Sequence, residues 1–217
     1  MEKKADLRNM SLRSRIQYIW MYYKIWILGS ALILFIIGYA FYATSGIHKD
    51  TVINVTLVNA DEIMVSDSRL FDEFIATYFD PNLEKAEIAA NLNISLDDSG
   101  TASGTAVQVL SAQILSGEID ALISDQDVIT YLASGGSLAN LEEVFEPAEL
   151  DKYQDWLVYA TDEASGDSYP VGISLEESSR FRAEHFMSEP AILGVGITSV
   201  NAEAVDMLLE YLMEGER

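Results

Sequence analysis

The side chains most able to do chemistry are carboxylates. Acids stand in pairs at Asp97-Asp98, Asp125 with Asp127, Glu142-Glu143 and Glu176-Glu177, and paired carboxylates either ligate calcium or divide general-acid and general-base work. None of the pairs has the calcium-loop spacing, and adjacent acids usually form a solvated surface. No Ser-His-Asp order, Gly-x-Ser-x-Gly elbow or zinc helix accompanies them, so no catalytic residue is assigned and an enzyme is not expected. With two histidines, His48 and His185, and no cysteine, a transition-metal site, a disulfide framework, a thiol nucleophile and a lipid-modified cysteine all fall away. Neither a metal nor a cofactor is expected. The loop Gly100 to Thr105, GTASGT, lacks the spacing and the lysine of a phosphate cradle.

Uncharged polar groups remain. In an open α/β sheet a ligand crevice lies beyond the carboxyl ends of the strands. That rule selects Asn59, Ala60 and Asp61 after a first strand, Thr101, Ser103, Gly104 and Thr105 after a second, and Asp125, Gln126 and Asp127 after a third. Trp156, Tyr159 and Tyr169 add aromatic faces for stacking a sugar or peptide. A blander role competes at each place: Ser103 or Thr105 and Asp125 are suitable helix caps, and aromatics at strand spacing usually belong to a core. The ligand-binding set is Asn59, Asp61, Ser103, Gly104, Thr105, Asp125, Gln126, Trp156 and Tyr169.

The elements that position these residues alternate along the chain. Val52 to Val58 reads as a strand, and Ser66 or Ser68 caps a helix with Leu70, Phe71, Phe74, Ile75 and Tyr78 on one face. Glu87 to Leu96 is a second strand, and a second helix runs from Ser103 through Val107, Leu110, Ile114 and Leu115 to Gly117. Ile119 to Ser124 is a short buried strand, followed by a helix capped by Asp125 and stopped at Gly135-Gly136. Further helices are expected at Leu138 to Phe145 and 147 to 154, strands at Trp156 to Ala160 and Tyr169 to Ile173, a last strand at Ala191 to Thr198 and a last helix at Ala202 to Met213. Successive β-α units predict an α/β fold with a mainly parallel sheet, helices on both faces and right-handed crossovers.

Charge is segregated. The 217 residues carry a formal net charge of -22, yet residues 1–24 hold six bases and two acids, and the rest holds seven bases and 33 acids. Between lies Ile25 to Ala43, 19 residues without a charge, enough at about 1.5 Å each to cross a hydrocarbon core of roughly 30 Å. Aromatics flank it at Tyr18, Trp20, Tyr22, Tyr23 and Trp26 and at Tyr39, Phe41 and Tyr42. The basic excess before the run keeps the N-terminus cytoplasmic and sends the acidic part outside. The stripe Leu12, Ile16, Ile19, Trp20 and Tyr23 reads as an interfacial helix on anionic lipid. Ala43-Thr44-Ser45 also has the form of a signal-peptidase site, but the apolar run is longer than a typical signal core, so retention is expected. The domains are therefore a cytoplasmic basic segment (1–24), a transmembrane helix (25–45) and an extracellular α/β domain (46–217). The only basic stretch is short and abuts the apolar run, and the acidic part repels phosphate, so a nucleic-acid partner is excluded.

Three blocks carry a family resemblance. Gln113 to Phe145, QILSGEIDALISDQDVITYLASGGSLANLEEVF, resembles the segment of bacterial extracellular solute-binding proteins in which a glycine-ended helix leads into I-D-x-x-I, a capped helix, a glycine turn and an L-x-x-L helix. Tyr169 to Ser174 is similar to the strand after that family's polar turn, and Gly194 to Leu212 to its return segment, where a Ser-x-Asn turn precedes a helix. The resemblance implies one lobe of a periplasmic-binding-protein fold, transport-associated and non-enzymatic, with a small solute or a membrane transport protein as partner. Only one lobe's worth of units is present, the chain passing from Ile173 to Ala191 where a second lobe belongs. The alternative role is a structural or protein-interaction module of the cell envelope that has lost solute binding.

Overall fold

The computed structural model describes residues 12–44, 49–95, 105–161 and 166–214. The chain divides into two units, Met1–His48 and Lys49–Arg217. In the first, a single helix α1 (Leu12–Thr44) runs for 33 residues, about 50 Å at 1.5 Å per residue. The interfacial helix and the apolar run expected as separate pieces are thus one helix, because no proline or glycine interrupts Tyr18 to Leu28. Trp26, Leu28, Leu32, Ile33, Leu34, Phe35, Ile36 and Ile37 are all exposed on it. Among the described residues no helix is long and apolar enough to cross a membrane.

The second unit is built on six strands, β1 (Asp50–Val58), β2 (Glu84–Leu92), β3 (Ala121–Ser124), β4 (Leu157–Thr161), β5 (Ser168–Ser174) and β6 (Ile192–Val195). Their order across the sheet is β2-β1-β3-β6-β5-β4. β1 runs parallel to both β2 and β3, but β3–β6, β6–β5 and β5–β4 are antiparallel. The fold is α/β as expected, and the expected mainly parallel sheet is corrected to a mixed one. Parallel neighbours need a crossover, usually a helix across the sheet. From Leu175 to Ala191 the chain forms only one five-residue helix, α8 (Ser179–Ala183), and re-enters from the edge it left.

Helices cover both faces. On one, Ile53, Val55, Leu57, Ala121, Ile123, Leu193 and Val195 pack with α3 (Leu70–Tyr78) and α9 (Ala202–Met213). On the other, Val58, Leu122 and Ile192 meet Val107, Leu110 and Ile114 of α4 (Ala106–Leu115) and Val128, Ile129 and Leu132 of α5 (Gln126–Ser134). The alternation of strand side chains assigns each residue its layer. Val171 and Ile173 break the rule by facing opposite layers, because the β4–β5 pairing skips Val171 in a bulge.

The remaining elements are α2 (Glu62–Asp67), α6 (Leu141–Val144), α7 (Pro147–Leu150) and a 3-10 turn at Asp151–Trp156. The helix expected from Leu138 starts three residues later, with the Asn140 side chain capping it. Leu138 instead makes an isolated bridge to Gly196.

Among the described residues, Asp120 is the one charged side chain buried inside this framework. Asp120, 1% exposed, accepts from the Asn54 backbone N–H (2.9 Å) and Nδ2 (3.3 Å). It also accepts from Ser199 Oγ (2.8 Å) and Asn201 Nδ2 (3.1 Å). Its own backbone donates to Asn54 O and accepts from Gly196 N–H. The Ser-x-Asn turn noted in the sequence is therefore the clamp on a buried carboxylate, joining β1, the entry to β3 and the entry to α9. Gly196 is required beside it, since a Cβ there would lie 2.5 Å from Ile119 O.

Asp120→Asn replaces one acceptor oxygen by a donor that faces donors. We expect it to cost about 3 kcal/mol, against about 1 kcal/mol for Ser199→Ala, which removes a single partner. Thermal denaturation checks this: the Asn variant should melt roughly 6–12 °C lower, and equal melting of the two variants refutes the clamp.

Candidate functional site

The carboxyl ends of β1, β3 and β5 and the start of β6 share one edge of the sheet, as the strand directions require. Here Asn59 leaves β1 with φ +60°, a left-handed conformation that asparagine tolerates better than most side chains do. Its Nδ2 donates to Ile94 O (2.9 Å) and to Asp125 Oδ2 (2.6 Å), and its Oδ1 accepts from Ile94 N–H (2.8 Å). Asp125 also accepts from Val128 N–H at 3.0 Å through Oδ1 and so caps α5. Asp61 caps α2, accepting from Ile63 and Met64 N–H, while its backbone N–H donates to Phe186 O. The three best candidates thus gather at one edge, and each has its side chain engaged in holding the chain.

Gln126, next to Asp125, and Trp156, just before the Leu157 that pairs with Ile173 at the end of β5, stand at the same edge, whereas Tyr169 lies at the opposite one. Gln126 is exposed on the first turn of α5. Thr105 is exposed at the start of α4 and makes no side-chain cap, while Ser103 and Gly104 lie outside the described residues. Trp156 precedes β4 and is packed against one core layer. Tyr169 starts β5, packs against the other layer and donates from its hydroxyl to Ala133 O at 3.5 Å. Since Leu157 is paired with Ile173 and Ala160 with Tyr169, the two rings sit at opposite ends of the hairpin. They cannot form one stacking wall.

What the sequence reading passed over is the connection from Leu175 to Ala191. Ser178 is fully buried; its hydroxyl donates to Leu212 O (2.6 Å) and accepts from Phe181 N–H (3.1 Å), starting α8. Phe186 packs edge-on against Phe181 and stacked on Phe71. The only signal for this in the sequence is a capping serine three residues before a phenylalanine, Ser178 and Phe181. Around the connection lies an open cleft of about 710 Å³ bordered by Glu176, Glu177, Arg182, His185 and Glu189. His185 has φ +54°.

Shifted titrations lie elsewhere. Burial, then the carboxylates of Glu210 and Glu214, pushes the Tyr78 hydroxyl above its ordinary value. Burial does the same at Tyr211, whose ring carries the Arg180 guanidinium 4.3 Å from its centroid. Both tyrosines belong to the packing of α3 on α9. Among the described residues no cluster of three or more His, Asp or Glu is placed to hold a metal ion.

Family models, curated proteins and solved structures provide no match to this chain.

Asn59 gives a two-variant test of the edge. Asn59→Gly keeps the backbone conformation and loses three hydrogen bonds; Asn59→Ala loses the bonds and also strains the backbone. Urea unfolding should show a loss of about 2 kcal/mol for Gly and about 1 kcal/mol more for Ala. An Ala variant as stable as the Gly variant contradicts the strained, bonded role.

Proposed function

We propose that the protein is a single-pass, membrane-tethered accessory, non-enzymatic, whose outward α/β domain acts by contacting another protein of the membrane or envelope, a transport protein among them. The observation that supports this most directly is the state of the crevice edge. The side chains of Asn59, Asp61 and Asp125 are used in internal bonds, and the connection from Leu175 to Ala191 lays Phe181 and Phe186 into the core beside them. A single lobe encloses little of a solute, and an unenclosed solute gains little affinity. The tether rests on the 19 uncharged residues Ile25 to Ala43, on the continuity of α1 through them and on the basic flank before them.

A second reading, recognition of a small extracellular solute, is favoured by the cleft at Leu175 to Ala191. Arg182 and His185 face the same space as Glu176, Glu177 and Glu189, a mixed lining suited to a solute bearing both charges.

A thermal-shift panel on the detergent-solubilised full chain separates the two. Sugars, amino acids and short peptides should leave Tm unchanged; a solute at 100 times its Kd adds about 2.7 kcal/mol, and such a shift would move the assignment to the second reading. The tether has its own check, made simple by the absence of cysteine. Ser188 is exposed, and Ser188→Cys should react with a membrane-impermeant maleimide on intact cells. Reaction only after lysis would reverse the orientation.

A further inference from the structure

The two edges of the sheet are unlike. β4 has only five residues, and a short edge strand offers little for further pairing. β2 has nine residues and no proline; among the described residues it pairs with β1 alone, regularly from Ala86 to Ala89, with register shifts on either side of that stretch. Every second residue of such a strand turns an N–H and a C=O outward.

Three side chains of β2 are small where strands usually carry β-branched or aromatic residues. Ala86, Ala89 and Ala90 leave room on both faces of the edge. One groove, about 480 Å³, lies between β2 and the α2–α3 corner. Another, about 490 Å³, lies on the opposite face between β1, β2 and the end of α4. Side chains of an added strand alternate between faces, so each would enter one groove or the other. Both grooves are acidic, with Glu62 and Asp72 bordering the first and Glu87 and Glu118 the second. The base on this strand, Lys85, is 3.4 Å from Glu87.

We propose that β2 receives an extended, basic segment of a partner protein as a seventh strand, its Lys or Arg side chains alternating between the two acidic grooves. This rests on the protein-contact reading and gives it a surface and a partner chemistry. Main-chain bonds supply the affinity of strand addition and the grooves its selectivity. A second copy of this chain is a poor occupant, because edge-to-edge pairing sets acidic grooves against acidic grooves.

The test uses full chain in detergent micelles and three fluorescent ten-residue probes. The first alternates valine with lysine and threonine, the second has glutamate for lysine, and the third is the basic probe with two residues replaced by proline. The basic probe should bind and slow amide exchange in β2. The acidic probe should bind at least about tenfold more weakly, and about tenfold weakening is expected for the basic probe at high salt. The proline probe keeps the charge and lacks the donors, so it should also fail. A chain carrying Glu62→Gln, Asp72→Asn, Glu87→Gln and Glu118→Gln, folded by circular dichroism, should lose the preference for the basic probe. Equal binding of the basic and proline probes, protection outside β2, no binding, or self-association through β2 each overturns the proposal. A partner crosslinked at another surface with β2 unprotected would leave the contact role standing and remove only this edge. A solute-induced Tm shift with β2 still protected by the basic probe would do the reverse.

Discussion

A carboxylate buried among neutral donors is the constraint on which the outer domain turns. Asp120 is removed from water, and nothing on its own strand can satisfy it. An unpartnered buried charge is severely destabilising, so Asn54, Ser199 and Asn201 must converge wherever the chain is native. That requirement sets the register of β1 against β3, brings the turn after β6 back to the foot of β3 and fixes where α9 begins. Gly196 completes the arrangement, its N–H held by Asp120 O and its missing side chain leaving space for Ile119 O. Residues far apart in the chain are locked by a requirement of charge rather than of shape.

The opposite edge obeys a different rule. Asn59 and Asp125 join β1, the segment after β2 and the start of α5 through short polar bonds. The connection after β5 adds aromatic packing. At this edge Asn59, Asp61 and Asp125 each make bonds within the fold, while Gln126 is exposed. The same residue types that suggest a ligand site thus also hold the fold together.

Much of this was legible in the sequence. β1, α3, α5 and α9 lie within a few residues of their expected bounds, because each combines a clear period with a capping or stopping residue: Ser68 before α3, Asp125 before α5, Gly135 after it. Strand direction was not legible, since parallel or antiparallel pairing is decided by the path between strands and not by residues within them. α2 was hidden because Asp61 was read as a ligand donor, whereas its carboxylate caps that helix. β2 begins at Glu84 and not Glu87 and ends at Leu92, its alanines giving a weak alternation. Asp120 sits in the apolar run IDALIS, where a lone acid gives no sign of the donors that the fold delivers from more than 60 residues before it and nearly 80 after it. Of the candidate residues, position at strand ends was readable and availability was not, because hydrogen-bond partners are a property of the assembled edge.

The place of β6 has a consequence for the order in which the domain can be completed during synthesis. It is an interior strand, paired on both sides with β3 and β5, yet among the described residues it follows the other five strands in the chain. Until it arrives, β2-β1-β3 and β5-β4 are two separate ribbons with apolar flanks, and Asp120 lacks Ser199 and Asn201. No N-terminal portion of the domain is a finished smaller version of it. A chain truncated before Ile192 loses the strand that joins the two ribbons.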